Sequence, residues 1–330
     1  MIFKRRTSQR RLTPVAMFLR WEWVLLMLFV TAFIVNALLS PYFLNTRTLF
    51  DTTFNFMEKS IIALPMAFII ISANIDLSVA SAVAMSAVLM ATRFEAGWNI
   101  WLAVLFGLAV GALGGLLNGT IVAKVRLPSL VVTLGTYALY RGVAFVALGD
   151  RAVTGFPSQF LQLGQGYVGH TPVPVPLVIF AVLAILFGLL LHRTTFGRFV
   201  YAIGNNEEAC RYSGVAVDRI KIVLFTLSGL MSALAAIILT ARFNSTRPNI
   251  ATGFELQVIT AVLLGGVNIF GGEGAMPGVV LALFLMGLVA RGMSLRNMAG
   301  ELQTIVIGSL LIVAILLPQL LRRLAPRERT

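Results

Sequence analysis

Residues 98–123 read WNIWLAVLFGLAVGALGGLLNGTIVA, and the interval between Glu95 and Lys124 holds no ionisable side chain. As a helix rising 1.5 Å per residue, this stretch extends about 39 Å, more than the ~30 Å hydrocarbon core of a bilayer. It has no polar face, so such a helix is surrounded by lipid or by other helices rather than half-bathed in water. Gly111, Gly114, Gly115 and Gly119 recur at helical spacing, the pattern that lets two helix backbones approach closely. Packing is the reading of these glycines. Asn118, near the end of the stretch, is a candidate lining residue for a polar path.

Apolar blocks of the same character lie at residues 23–39, 54–73, 77–92, 128–148, 175–191, 221–241, 255–270, 276–291 and 301–318. With about 20 residues per span, the sequence predicts an all-α polytopic membrane protein of about ten transmembrane helices. One transmembrane domain covers 22–321, between basic tails at 1–21 and 322–330. The composition agrees: of 330 residues, 58% are hydrophobic and 12% charged, which leaves no material for a soluble catalytic domain or a large ectodomain.

An even number of spans puts both termini on one side, and Lys and Arg indicate which. The tails, the 124–126 turn, a loop at 192–220 and Lys221 directly after it hold 17 Lys and Arg, against seven in the alternate connections, so both termini are expected in the cytoplasm. The first apolar run lacks a small-x-small cleavage pattern and is read as a retained span rather than a signal peptide. A net charge of +13 would raise nucleic-acid binding in a soluble protein; here it is a topology signal, and no nucleic-acid partner is expected. Cys210 is the sole cysteine and His170 and His192 the two histidines, which excludes an internal disulfide and makes a Cys/His metal site unexpected.

Two connections do more than link helices. The outside loop at 149–174 ends in Thr171-Pro172-Val173-Pro174, an extended approach to the next span. In the inside loop at 192–220, Asn205 or Asn206 is placed to cap a short helix from Glu207 to Tyr212, and Gly214 to end it. Asn74-Ile75-Asp76-Leu77-Ser78 interrupts two spans; Asp76 and Ser78 read first as helix caps, with substrate contact the sharper alternative. Gly265, Gly266, Gly271, Gly272 and Gly274 permit tight turns near Asn268. Arg141, Glu255 and Gln257 are expected toward the outer ends of their spans. Neither a phosphate-binding G-x-x-x-x-G-K-[ST] loop nor a G-x-S-x-G nucleophile elbow occurs, so ATP chemistry would belong to another chain and hydrolase chemistry has no support.

The run Glu208-Ala209-Cys210, followed after three residues by Gly214, resembles the EAA-x-x-x-G signature of ABC importer permeases, with cysteine for the second alanine. Further segments resemble the ribose-type permease family in order along the chain from about residue 45 to 315: Asn74 to Ser81; Pro128 to Thr136, with Thr133, and Tyr140-Arg141-Gly142; Phe196-Gly197-Arg198 to Asn205; Ser228-Gly229-Leu230; Glu255-Leu256-Gln257; and Leu264 to Gly274. Ala80, where the family usually has glycine, and Glu273, usually small or uncharged there, depart from the pattern. The resemblance implies the permease subunit of a bacterial inner-membrane importer for a monosaccharide or sugar-like solute. Its partners would be a separate ABC ATPase holding ATP and magnesium, a second permease chain, identical or related, and a periplasmic sugar-binding protein; no cofactor would sit on this chain. Coupling to the ATPase would fall on Gly197, Arg198, Gly204, Asn205, Glu207, Glu208, Ala209, Cys210 and Gly214. A path or gate would draw on Asn74, Asp76, Ser78, Asn118, Thr133, Gln257 and Asn268. The rival class is a stand-alone secondary transporter or flippase, weakened by the scarcity of mid-span acids.

Overall fold

The computed structural model describes residues 21–39 and 43–298, with isolated helical positions between 302 and 312. The expected tails, and most of the expected last span at 301–318, lie outside the described residues. Helices dominate: α1 (Trp21–Leu39), α2 (Thr46–Thr53), α3 (Met57–Ile71), α4 (Val79–Glu95), α5 (Ile100–Thr120), α6 (Ser129–Leu148), α7 (Ser158–Gln165), α8 (Val175–Arg193), α9 (Thr195–Asn205), α10 (Glu207–Tyr212), α11 (Val217–Phe243), α12 (Phe254–Leu264) and α13 (Met276–Leu295). Two short strands, β1 (Val153–Thr154) and β2 (Ser245–Thr246), pair antiparallel with Val153 opposite Thr246.

Among the described residues, five helices are long and apolar enough to cross a bilayer: α5 with its π-helical extension Ile121–Val125, α6, α8, α11 and α13. A sixth is reached if α2 and α3, bent by 51° at their junction, act as one span. The sequence block at 54–73 therefore divides: its helix starts earlier, at Thr46, and breaks before Met57. The block at 255–270 is cut to α12, because Gly265 ends the helix and Gly266, at φ +87°, turns the chain out of it.

The bundle is built around α3 and α11. Every residue of α3 except Lys59 is buried, so a run without amphipathic period is explained by neighbours on all sides. Helix α11 lies against α5, and the glycines quoted above make that approach possible. A Cβ on Gly115 would collide with the Phe225 carbonyl, one on Gly111 with Ala233 and Gly229, and one on Gly119 with the Ile222 backbone. These glycines therefore serve packing.

Successive helices alternate between two ends. At one end Trp21 Nε1 donates to the Leu264 carbonyl (2.7 Å), Gly272 N to Ile71 O (2.8 Å) and Met276 N to His192 Nε2 (3.2 Å). The starts of α1 and α13 thereby meet the ends of α3, α8 and α12, while Ser129 at the start of α6 accepts Ile75 N–H and Lys221 near the start of α11 reaches Glu207 of α10. At the other end β1 joins β2, and Arg151 forms a fork with Glu95 at 2.6 and 2.7 Å. The connections expected inside gather at the α10 end, and those expected outside gather at the β-ribbon end.

Candidate functional site

The α10 end carries an exposed helix pair. Thr194 caps α9, its hydroxyl accepting Gly197 N–H (3.3 Å), and Asn206 caps α10 by accepting Ala209 N–H (2.9 Å). Of the two asparagines it is Asn206 that caps; Asn205 ends α9 and lies against Gly272. Gly214 takes φ +81°, a left-handed turn that returns the chain toward α11.

The nine expected coupling residues divide by direction. Arg198, Asn205, Glu208, Ala209 and Gly214 face outward, as does Tyr212. Gly197 fits against the Leu191 carbonyl and Gly204 against the Ile71 carbonyl, where no Cβ has room. Cys210 is buried among core residues. Its thiol therefore faces the core, and the outward face of the helix is made by Glu208, Ala209 and Tyr212.

Glu207 joins the helix to the bundle. It accepts from Arg211 one turn along (2.9 Å) and from Lys221 in the first turns of α11 (2.6 Å), and Arg211 in turn reaches Asp218 (2.5 Å). Burial works against the Glu207 charge, but the hydrogen bonds from Lys221 and Arg211 outweigh it and hold the carboxyl below its ordinary range. The Lys221 side chain is 8% exposed but that of Glu207 is 35% exposed, so water screens the pair from the carboxylate side. Beneath α10 lies a cavity of about 700 Å³ bordered by Asn74, Arg126, Glu208 and Lys221, which separates the exposed helix from the 72–78 break.

That break holds a buried polar network. Asp76 Oδ1 accepts the backbone N–H of Ser78 (2.9 Å) and its hydroxyl (2.6 Å), while Oδ2 accepts the hydroxyl of Ser228 on α11 (2.8 Å). Asn118 Nδ2 donates to the Ser78 hydroxyl (2.8 Å), and Tyr140 OH on α6 meets the Gly114 carbonyl (2.7 Å) and Asn118 Oδ1 (3.1 Å). Thr133 Oγ1 lies 3.3 Å from the Ile75 carbonyl, and Ser129 accepts Ile75 N–H at 3.0 Å. Asp76 thus does more than turn the chain: one carboxylate fastens the α3–α4 break to α11, and its neighbours reach α5 and α6. Asn74, bonded to Ser72, edges the same network.

Gln257 and Asn268 do not join it. Gln257 sits in the first turn of α12, and Asn268 shapes the glycine-rich turn by accepting Phe270 N–H (3.0 Å). Sequence reading passed over Ser228, Lys221, Glu58 and Arg242 as site residues. Glu58, 1% exposed, receives Arg242 at 3.1 Å, and Arg242 also donates to the Phe54 carbonyl at the α2–α3 bend. Lys59 places its ammonium 4.8 Å from the centre of the Phe254 ring. An acid and a lysine side by side inside an apolar block were the available signal for this second cluster. Among the described residues no group of three His, Cys, Asp or Glu side chains converges as a metal site would require.

An exposed capped helix is thus tethered to the bundle by one carboxylate, above a buried carboxylate that joins the α3–α4 break to α11. Residues 48–315 match the model of a family described as branched-chain amino acid transport system / permease component, and the chain belongs to that family. It is similar to the Autoinducer 2 import system permease protein LsrD of Klebsiella pneumoniae, with 35% identity over 90% of this chain and 91% of the relative. The protein of the same name from Yersinia enterocolitica is 36% identical over 89% and 90% of the two chains. The one from Escherichia coli K12 is 34% identical over 89% and 91%. No solved structure matches the chain.

Proposed function

We propose that this chain is the membrane-spanning subunit of an ATP-driven importer for a sugar-like solute of the autoinducer-2 type. Identity of 34–36% to autoinducer-2 permeases over about nine-tenths of the chain is the observation that carries the substrate class, and it favours that class over the amino acids in the family's description. In this reading the chain spans a bacterial inner membrane about ten times with both termini in the cytoplasm, which the charge distribution supports. It works beside a second permease chain, receives solute from a periplasmic binding protein at the β-ribbon end, and docks a separate ATPase at the α10 end.

The chain performs no covalent chemistry. ATP binding and hydrolysis on the partner change which permease conformation that partner prefers, and the solute path opens to one side at a time as populations shift. Movement of α10 reaches α11 through Glu207–Lys221. Ser228 stands seven residues beyond Lys221, two helical turns on the same face, so α11 carries that movement to Asp76 and the α3–α4 break. Reconstituted with its ATPase and binding protein, the complex takes up labelled autoinducer-2 in preference to leucine. Preference for leucine would move the substrate class, and failure of the ATPase to be captured at all would remove the importer reading.

A further inference from the structure

A furrow runs along the bundle surface between α8 and α13, with α1 at its side. Its larger part, a cavity of about 720 Å³, is walled by Phe29, Ile185, Gly188, Leu281 and Phe284 and ends on His192 and Arg193 at the α10 end. An adjoining cavity of about 310 Å³ shares Phe29 and Phe284 and continues past Phe33 toward Leu177. From Arg193 back to Leu177, α8 rises about 24 Å, so the furrow's deep part lies within the thickness of one leaflet and its tip passes beyond the midplane.

The furrow is open where comparable places in the bundle are filled. A Cβ on Gly188 would meet only Met276 Cγ, at 3.9 Å, whereas those on Gly111 and Gly115 would strike a neighbouring backbone. In the larger cavity the wall is aliphatic and aromatic, and its polar side chains gather at one mouth; the adjoining cavity adds only the hydroxyls of Thr46, Thr52 and Thr53. There His192 is committed to Met276 N–H, while Arg193 is exposed and forms no ion pair among the described residues. An apolar groove that ends on a guanidinium at membrane-surface height complements an acyl chain joined to a phosphate, which arginine grips with two parallel hydrogen bonds.

We propose that this furrow binds an anionic phospholipid from the leaflet at the α10 end, its phosphate on Arg193 and one acyl chain along Gly188 toward Phe284. The inference rests on the membrane-spanning reading above but on neither the solute nor the ATPase. Because α9 begins at Thr195 directly beyond Arg193, the lipid would brace the root of the exposed helix pair.

Native mass spectrometry of the full chain, delipidated and titrated with phosphatidylglycerol or phosphatidylcholine, tests it. One tightly held phosphatidylglycerol is expected, with phosphatidylcholine weaker. Arg193→Glu should weaken phosphatidylglycerol by about fivefold or more, and Gly188→Leu, which fills open space and improves helix propensity, should weaken both lipids. Equal retention of the two lipids by the wild type, or unchanged binding in both variants, overturns the proposal. A photocrosslinker at Ile185 in phosphatidylglycerol-containing nanodiscs should label lipid; crosslinking instead to residues 301–318 or to a second copy of the chain would assign the furrow to that occupant and overturn it. Loss of ATPase capture with lipid binding intact would count against the importer reading alone.

Discussion

Helix α11 is gripped by a carboxylate near each end, and the two grips differ. Near its start, Lys221 is held by Glu207 of a six-residue helix whose other face is exposed. At its far end Arg242 is held by Glu58, which lies 1% exposed in the first turn of α3, a helix buried at every residue but Lys59. One bond ties α11 to an element a partner can reach; the other ties it to the core. A lever needs this asymmetry, a fixed point at one end and an accessible handle at the other. The buried Asp76–Ser228 contact lies between them, where α11 meets the α3–α4 break.

The sharpest way to break the comparison is at the fixed point. Glu58→Ala leaves the Arg242 guanidinium without its carboxylate, and stability should fall by about 3–5 kcal/mol, read as a loss of folded protein in detergent melts. Little change there would mean that the β-ribbon end is not the anchor. Next in size is the contact that lets α11 lie on α5: Gly115→Leu drives a side chain into the Phe225 backbone and should lower stability by about 1–3 kcal/mol, whereas Gly135→Leu, where a Cβ meets nothing, should leave the melt unchanged or slightly raised by its better helix propensity. Equal effects would deny the close α5–α11 packing.

The handle should behave differently. Glu207→Gln should reduce stability by about 1 kcal/mol or less, in keeping with a partly exposed pair. Its pH dependence has a definite sign. The folded-state carboxyl lies below its ordinary value of 4.5, so its contribution is complete above that value and is lost as pH falls through the folded pKa. The stability gap between wild type and Glu207→Gln should therefore be constant at neutral pH and close on acidification below about pH 4.5. A gap that widens in acid would contradict the ion-pair assignment.

Much of this organisation is legible in the sequence, and the illegible parts share a cause. Long charge-free runs such as 98–123 declare their helices, the glycines at 111, 115 and 119 declare close packing, and Asn206 and Gly214 bracket α10 through local backbone chemistry. Each depends on residues near in sequence. The partners of Asp76 and Glu58 do not: Ser228 lies 152 positions from Asp76, and Arg242 lies 184 from Glu58. A serine within an apolar span carries no local sign that it will meet a carboxylate. The inward turn of Cys210 was hidden for a related reason, since a six-residue helix is too short for its periodicity to say which face is covered. The bend between α2 and α3 meets Arg242 at the Phe54 carbonyl, again a distant partner.

The central claim is that α10 drives α11 through Glu207 and Lys221. Its most direct test is the solute-stimulated ATPase activity of the reconstituted complex carrying Lys221→Met, with ATPase capture measured on the same preparation. The lever predicts that capture stays at the wild-type level while stimulation falls by about fivefold or more, an effect on the order of 1 kcal/mol of coupling. Full stimulation with Lys221→Met, in a complex that still captures its ATPase, would contradict it.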